Sequence, residues 1–227
     1  MTTRPTHRTP LPIGSAAALY LALAYLAGMT YFLLVVDYPS IRDPLDKIAL
    51  FADHLRGLQL TYLAIYVVFG LALIALAVEL HDRLGAAAPR TMRVASTVAF
   101  VWAGVLIAGG MATNLGMETV VALHTDDSAQ AATVWIGIES VTTGMTGANG
   151  ELLGGLWTLL VSLAALHAQA FPKAVVAIGL VAGTAGLLST VPGLAALVAA
   201  FGLAQLVWFV GLGVALRRPQ GPAGQMK

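Results

Sequence analysis

Cysteine is absent from this chain, which excludes disulfide staples, thiolate metal sites and cysteine nucleophiles. Charge is scarce as well. Asp, Glu, Lys and Arg make up 10% of the 227 residues, whereas 58% are hydrophobic, and the mean hydropathy is +0.83. A soluble domain of this length cannot hide so much apolar surface, so the proportions point to an integral membrane protein. Histidine is sparse too: His7, His54, His81, His124 and His167 never fall four apart, so no helix presents a paired metal-ligand face. Neither a phosphate-binding glycine loop ending in lysine nor a Gly-x-Ser-x-Gly elbow occurs, which argues against a nucleotide-driven pump and a serine hydrolase. Lys47, Lys173 and Lys227 lie at or beyond the ends of apolar runs, so none suits a mid-membrane Schiff base. The reading predicts no cofactor and no nucleic-acid partner.

What remains is long apolar sequence. Runs without charge cover residues 13–36, 58–78, 94–117, 152–171, 174–191 and 194–216, each near the ~20 residues that cross a ~30 Å hydrocarbon core as a helix. Unpaired backbone amides are not tolerated in lipid, and these segments exceed the length of barrel strands. The expected fold is therefore all-α, a polytopic bundle of six spans over residues 13–218, with tails at 1–12 and 219–227. Arg4 and Arg8 ahead of the first run mimic a signal peptide, but the run is long enough to be an uncleaved span. Pro192 and Gly193 then require a tight hairpin between the last two spans.

Orientation follows from the basic residues. With the N-terminus inside, Arg4, Arg8, Arg83, Arg90, Arg93, Lys173, Arg217, Arg218 and Lys227 are cytoplasmic, against Arg42, Lys47 and Arg56 outside. Nine against three predicts that both termini face the cytoplasm of a cell membrane. Apart from Glu79 and Asp82, the acidic residues fall outside and make that face electronegative.

Two outer connections carry helical patterns. Asp43 followed by Pro44 is a cap and first-turn proline, after which Leu45, Ile48, Ala52 and Leu55 share one face up to Gly57. The second begins at His124, Asp126, Asp127 and Ser128, gives Ala131, Val134, Trp135, Ile138 and Val141 at helical spacing, and breaks over Gly144 to Gly150. Both are expected to be amphipathic interfacial helices. Within the spans, Gly150 with Gly154 and Gly155, and Gly179 with Gly183 and Gly186, permit close helix approach, with self-association as the alternative use. A Val-Trp pair recurs at Val101-Trp102 and Val207-Trp208.

Ionisable groups near a membrane are costly, which draws attention to Asp37, Glu118, Glu139 and Glu151. Each also has a structural reading: Glu151 at a helix start beside a capping Asn149, Glu139 on an interfacial helix, Asp37 in water at the end of the first span. The functional reading gathers them with Asn114, His54, Trp135 and Trp157 around an outward-facing mouth. There Glu139 and Glu151 would act as acid and base, and Asp37, Asn114, Glu118, Trp135, Asn149 and Trp157 would contact a lipid-like substrate. His54 stands beside Asp53, but adjacent helical residues do not face each other.

The stretch Gly147-Ala-Asn-Gly-Glu-Leu-Leu-Gly-Gly-Leu-Trp157, the Phe171-Pro172-Lys173 turn, Gly179 to Pro192 and the 201–218 helix together resemble a large bacterial family of six-helix membrane proteins classed as a domain of unknown function. The resemblance covers residues 55–218. It implies the six-helix fold and a bacterial origin, and draws attention to Asn149, Glu151, Gly154, Gly155 and Trp157, without a substrate or catalytic role. Three functions compete. One is an accessory or lipid-binding membrane protein. Another is a membrane-embedded acid–base enzyme acting on an isoprenoid or other lipid. The third is a small-solute transporter, supported only by the break at Gly147 to Gly150.

Overall fold

The computed structural model describes residues 13–147 and 151–217. The expectations about the two tails, and those resting on Asn149 and Gly150, lie outside the described residues. Charge-free sequence becomes helix almost throughout: α1 (Ile13–Val35), α2 (Pro44–Leu84), α3 (Pro89–His124), α4 (Ser128–Thr146), α5 (Leu152–Ala168), α6 (Lys173–Leu188) and α7 (Leu197–Ala215), with a 3-10 turn at Tyr38–Ser40. No strand occurs among the described residues. Helices α1, α2, α3 and α7 are long and apolar enough to cross a membrane.

Six helices close into a ring in which α1 packs on α2, α2 on α3, α3 on α5, α5 on α6, α6 on α7 and α7 back on α1. Its core is aromatic. Trp102 from α3 and Trp208 from α7, the two members of the repeated Val-Trp pair, both meet Trp157 of α5, at ring-centroid distances of 5.9 and 5.5 Å. The glycine spacings serve packing within the chain. A methyl group on Gly155 would stand 2.6 Å from the backbone nitrogen of Leu187, and one on Gly183 would stand 2.6 Å from that of Leu159, so α5 and α6 touch backbone to backbone.

The described residues depart from six spans with two separate outer helices: they form seven helices. The first outer helix does not stop at Gly57 but runs on to Leu84 as one 41-residue element. A single glycine costs a helix only about 1 kcal/mol, and Gly57 has another use, since the Tyr31 hydroxyl lies where its side chain would begin. The bend falls instead at His54, whose backbone is non-helical (φ −124°, ψ 17°). The starting signals hold: the Asp43 carboxylate accepts from the Leu45 amide at 2.7 Å, and that of Asp127 from the Gln130 amide at 2.9 Å. The α6–α7 connection is also longer than a tight hairpin. Helix α6 stops at Leu188 and α7 starts at Leu197, with Gly193 at φ +89° between them.

At 41 and 36 residues, α2 and α3 are about 60 and 54 Å long, far more than the ring requires. Their surplus length forms a second layer with α4, which packs on both from outside the ring. Ile48, Phe51, Leu58, Met117, Val120, Ala131 and Trp135 make a separate core there.

Candidate functional site

Where the ring meets this second layer, two helices widen. Tyr31–Val35 at the end of α1 and Leu63–Val68 within α2 are π-helical, a geometry that adds a residue to the turn and often marks functional positions. Both segments border a pair of adjoining cavities. The inner one, about 200 Å³, is lined mostly by apolar groups including Tyr25, Phe32, Phe69, Trp102 and Leu106, with Glu151 as its acidic residue. The outer one, also about 200 Å³, is lined by Phe32, Tyr38, Tyr62, Tyr66, Trp135 and Glu139, with threonines from α3 and α4. Phe32, Tyr66 and Thr146 belong to both walls.

Glu139 is held in place. Its Oε1 accepts from Lys47 Nζ at 2.6 Å and from the Tyr38 hydroxyl at 2.7 Å, tying α2 and the α1–α2 connection to α4. Lys47 Nζ also lies 5.1 Å above the Tyr38 ring. Burial, aided by neighbouring Tyr62 and by the Glu139 carboxylate, raises the Tyr38 pKa far above that of an ordinary phenol, so Tyr38 stays a neutral donor. Among the described residues, Glu139 Oε2 accepts no hydrogen bond. Thr113, Thr142 and Thr146 each donate to a carbonyl one turn back, which leaves acceptor lone pairs to face the cavity.

Glu151 is partly buried at the start of α5; its backbone amide donates to Ser189 Oγ at 3.0 Å. Its carboxylate lies where a side chain on Gly147 would begin, and Gly147 sits at φ +91°. Glycine there serves both the left-handed turn that ends α4 and the space for this carboxylate.

The structure thus brings Glu139, Glu151 and Trp135 to one pair of cavities and leaves the other candidates elsewhere. Trp135 is buried against Phe51 at 4.5 Å, and its indole N–H finds no acceptor among the described residues. Asn114 is buried and lines neither cavity, donating to the Gln59 carbonyl at 3.2 Å while its side-chain oxygen stays unpaired among the described residues. Trp157 lies in the centre of the ring and lines neither cavity. Asp37, Glu118 and His54 are exposed; Asp37 takes a left-handed backbone (φ 44°) in the turn after α1. Sequence reasoning overlooked Lys47 and the tyrosines. A signal was available, since all six tyrosines fall between residues 20 and 66, and four of them line these cavities. No family model, curated protein or solved structure matches this chain.

Proposed function

We propose that the chain is a multi-pass cell-membrane protein, its six-helix ring spanning the bilayer with both termini inside, that binds a lipid-like molecule in the paired cavities. One observation carries this reading: an aromatic, largely apolar cavity continues into a more polar one walled by hydroxyl oxygens and by the Glu139 carboxylate, which Lys47 pairs. Such a gradient suits an amphiphile with its hydrocarbon part beside Tyr25, Phe69 and Trp102 and its polar end beside Glu139. The basic-residue asymmetry supports the orientation, and the glycine–tryptophan segment supports kinship with bacterial six-helix membrane proteins.

Native mass spectrometry of the purified protein, with extraction of bound lipid, tests the reading. A stoichiometric amphiphile in the wild type that is depleted in Glu139→Gln is the expected result. Bulk phospholipid alone, identical in both proteins, would refute it. A second reading rests on Glu139 and Glu151 sharing this space: acid–base chemistry of the isomerase or cyclase type on the same lipid. It requires turnover of the extracted molecule by the wild type, and loss of turnover in Glu139→Gln and Glu151→Gln with folding intact.

A further inference from the structure

The outer cavity is lined by aromatic rings and hydroxyls, with Glu139 as its acidic residue. Five aromatic rings border it: Phe32, Tyr38, Tyr62, Tyr66 and Trp135. Four of them form a connected wall, with Phe32 steeply inclined to Tyr38 at 6.0 Å and to Tyr62 at 5.5 Å, and Tyr62 stacked on Tyr66 at 5.2 Å. Ring faces are the negative ends of their quadrupoles. The hydroxyl protons of Thr113, Thr142 and Thr146 are spent on backbone carbonyls, and Glu139 Oε2 accepts nothing among the described residues. A cavity that joins aromatic rings and hydroxyl oxygens to a carboxylate, at a place where an ammonium already lies against Glu139 and over the Tyr38 ring, favours a cation, and the aromatic lining suits an organic ammonium better than a hydrated metal ion.

The chain already supplies one such group at this site. Lys47 places its ammonium 2.6 Å from Glu139 and over the Tyr38 ring, the contacts that an external ammonium would seek. We infer that the outer cavity is an ammonium-recognition cage, that the amphiphile of the proposed function carries an amine or quaternary ammonium head group, and that Lys47 is its tethered competitor. This rests on the lipid-binding reading above and adds the head-group class to it. The ligand ammonium lies among the rings against Glu139 and displaces Lys47 Nζ toward solvent. No covalent step is involved.

The competitor role separates this inference from a plain structural ion pair. If the pair only holds α2 to α4, Lys47→Met and Glu139→Gln weaken the site alike. If Lys47 competes, the two substitutions act in opposite directions. Full-length protein in nanodiscs of phosphatidylglycerol, a lipid without an amine, is titrated calorimetrically with dodecyltrimethylammonium, dodecanol and dodecyl sulfate. The expected result is saturable binding of the ammonium about tenfold tighter than of dodecanol, with the sulfate weakest. Glu139→Gln removes that preference, Lys47→Met tightens ammonium binding several-fold, and the double variant, which leaves no unpaired charge, binds the ammonium and dodecanol alike. Equal affinities for the ammonium and dodecanol in the wild type, or weakening by both single substitutions, would overturn the cage and leave the lipid-binding reading standing. Absence of saturable binding by all three probes would overturn both.

Discussion

Gly155 has no room for a methyl group, because the place where one would sit is 2.6 Å from the Leu187 nitrogen and 2.8 Å from the Gly186 carbonyl carbon. Backbone cannot step aside as a flexible side chain can, so Gly155→Ala should cost about 1–3 kcal/mol through separation of α5 and α6. Gly137, with nothing within 4 Å of its would-be methyl group, should respond oppositely: Gly137→Ala gains about 0.5–1 kcal/mol from the greater helix propensity of alanine. Thermal unfolding in one detergent compares the two, and equal effects would contradict the close approach. Charge pairing can be tested at the same scale. Lys47→Met strands a partly buried carboxylate and should lose about 1–3 kcal/mol, most of it restored by adding Glu139→Gln. The glycine spacing was readable because small residues at helical intervals have few other uses in a membrane. The Lys47–Glu139 contact was not, since 92 residues separate the partners and no local pattern links them.

Helix starts were legible and helix ends were not. Asp43 and Asp127 bond their own first turns, a local event that residue type decides. Gly57 looked like an end, but helix α2 continues through it because packing on α3 and α4 outweighs the small cost of one glycine. Helix α4 illustrates the consequence. It lies outside the ring and is held by Trp135, Ala131 and the ion pair rather than by the tryptophan core of the ring. Trp135→Ala should therefore speed amide hydrogen exchange in α4 and the first turns of α2 while leaving α5–α7 protected. Trp157→Ala, which opens the ring core, should cost about 3–5 kcal/mol and speed exchange throughout. Hydrogen-exchange mass spectrometry resolves these segments, and uniform acceleration by Trp135→Ala would show that the two cores do not unfold separately.

For the molecule in its membrane, the proposed orientation makes a direct prediction that the absence of native cysteine makes easy to check. Arg42, Ala87 and Asp126 are exposed in the connections between helices. In intact cells an impermeant thiol reagent should label Arg42→Cys and Asp126→Cys but not Ala87→Cys, which should react only after permeabilisation; the reverse pattern would invert the topology.

The division of labour between sequence and fold follows from the range of the forces. Sequence alone determined that the chain is helical and apolar, where its charge-free runs lie and where its caps fall, because hydropathy and capping act within a few turns. Tertiary structure alone decided that six helices close into a ring, that α2 and α3 extend past it to hold α4, and that Glu139 and Glu151 reach adjoining cavities while Glu118 and Asp37 face outward. Which face of a uniformly apolar helix turns inward is set by packing against neighbours distant in sequence, and hydrophobicity that is nearly equal all round the helix carries no record of that choice.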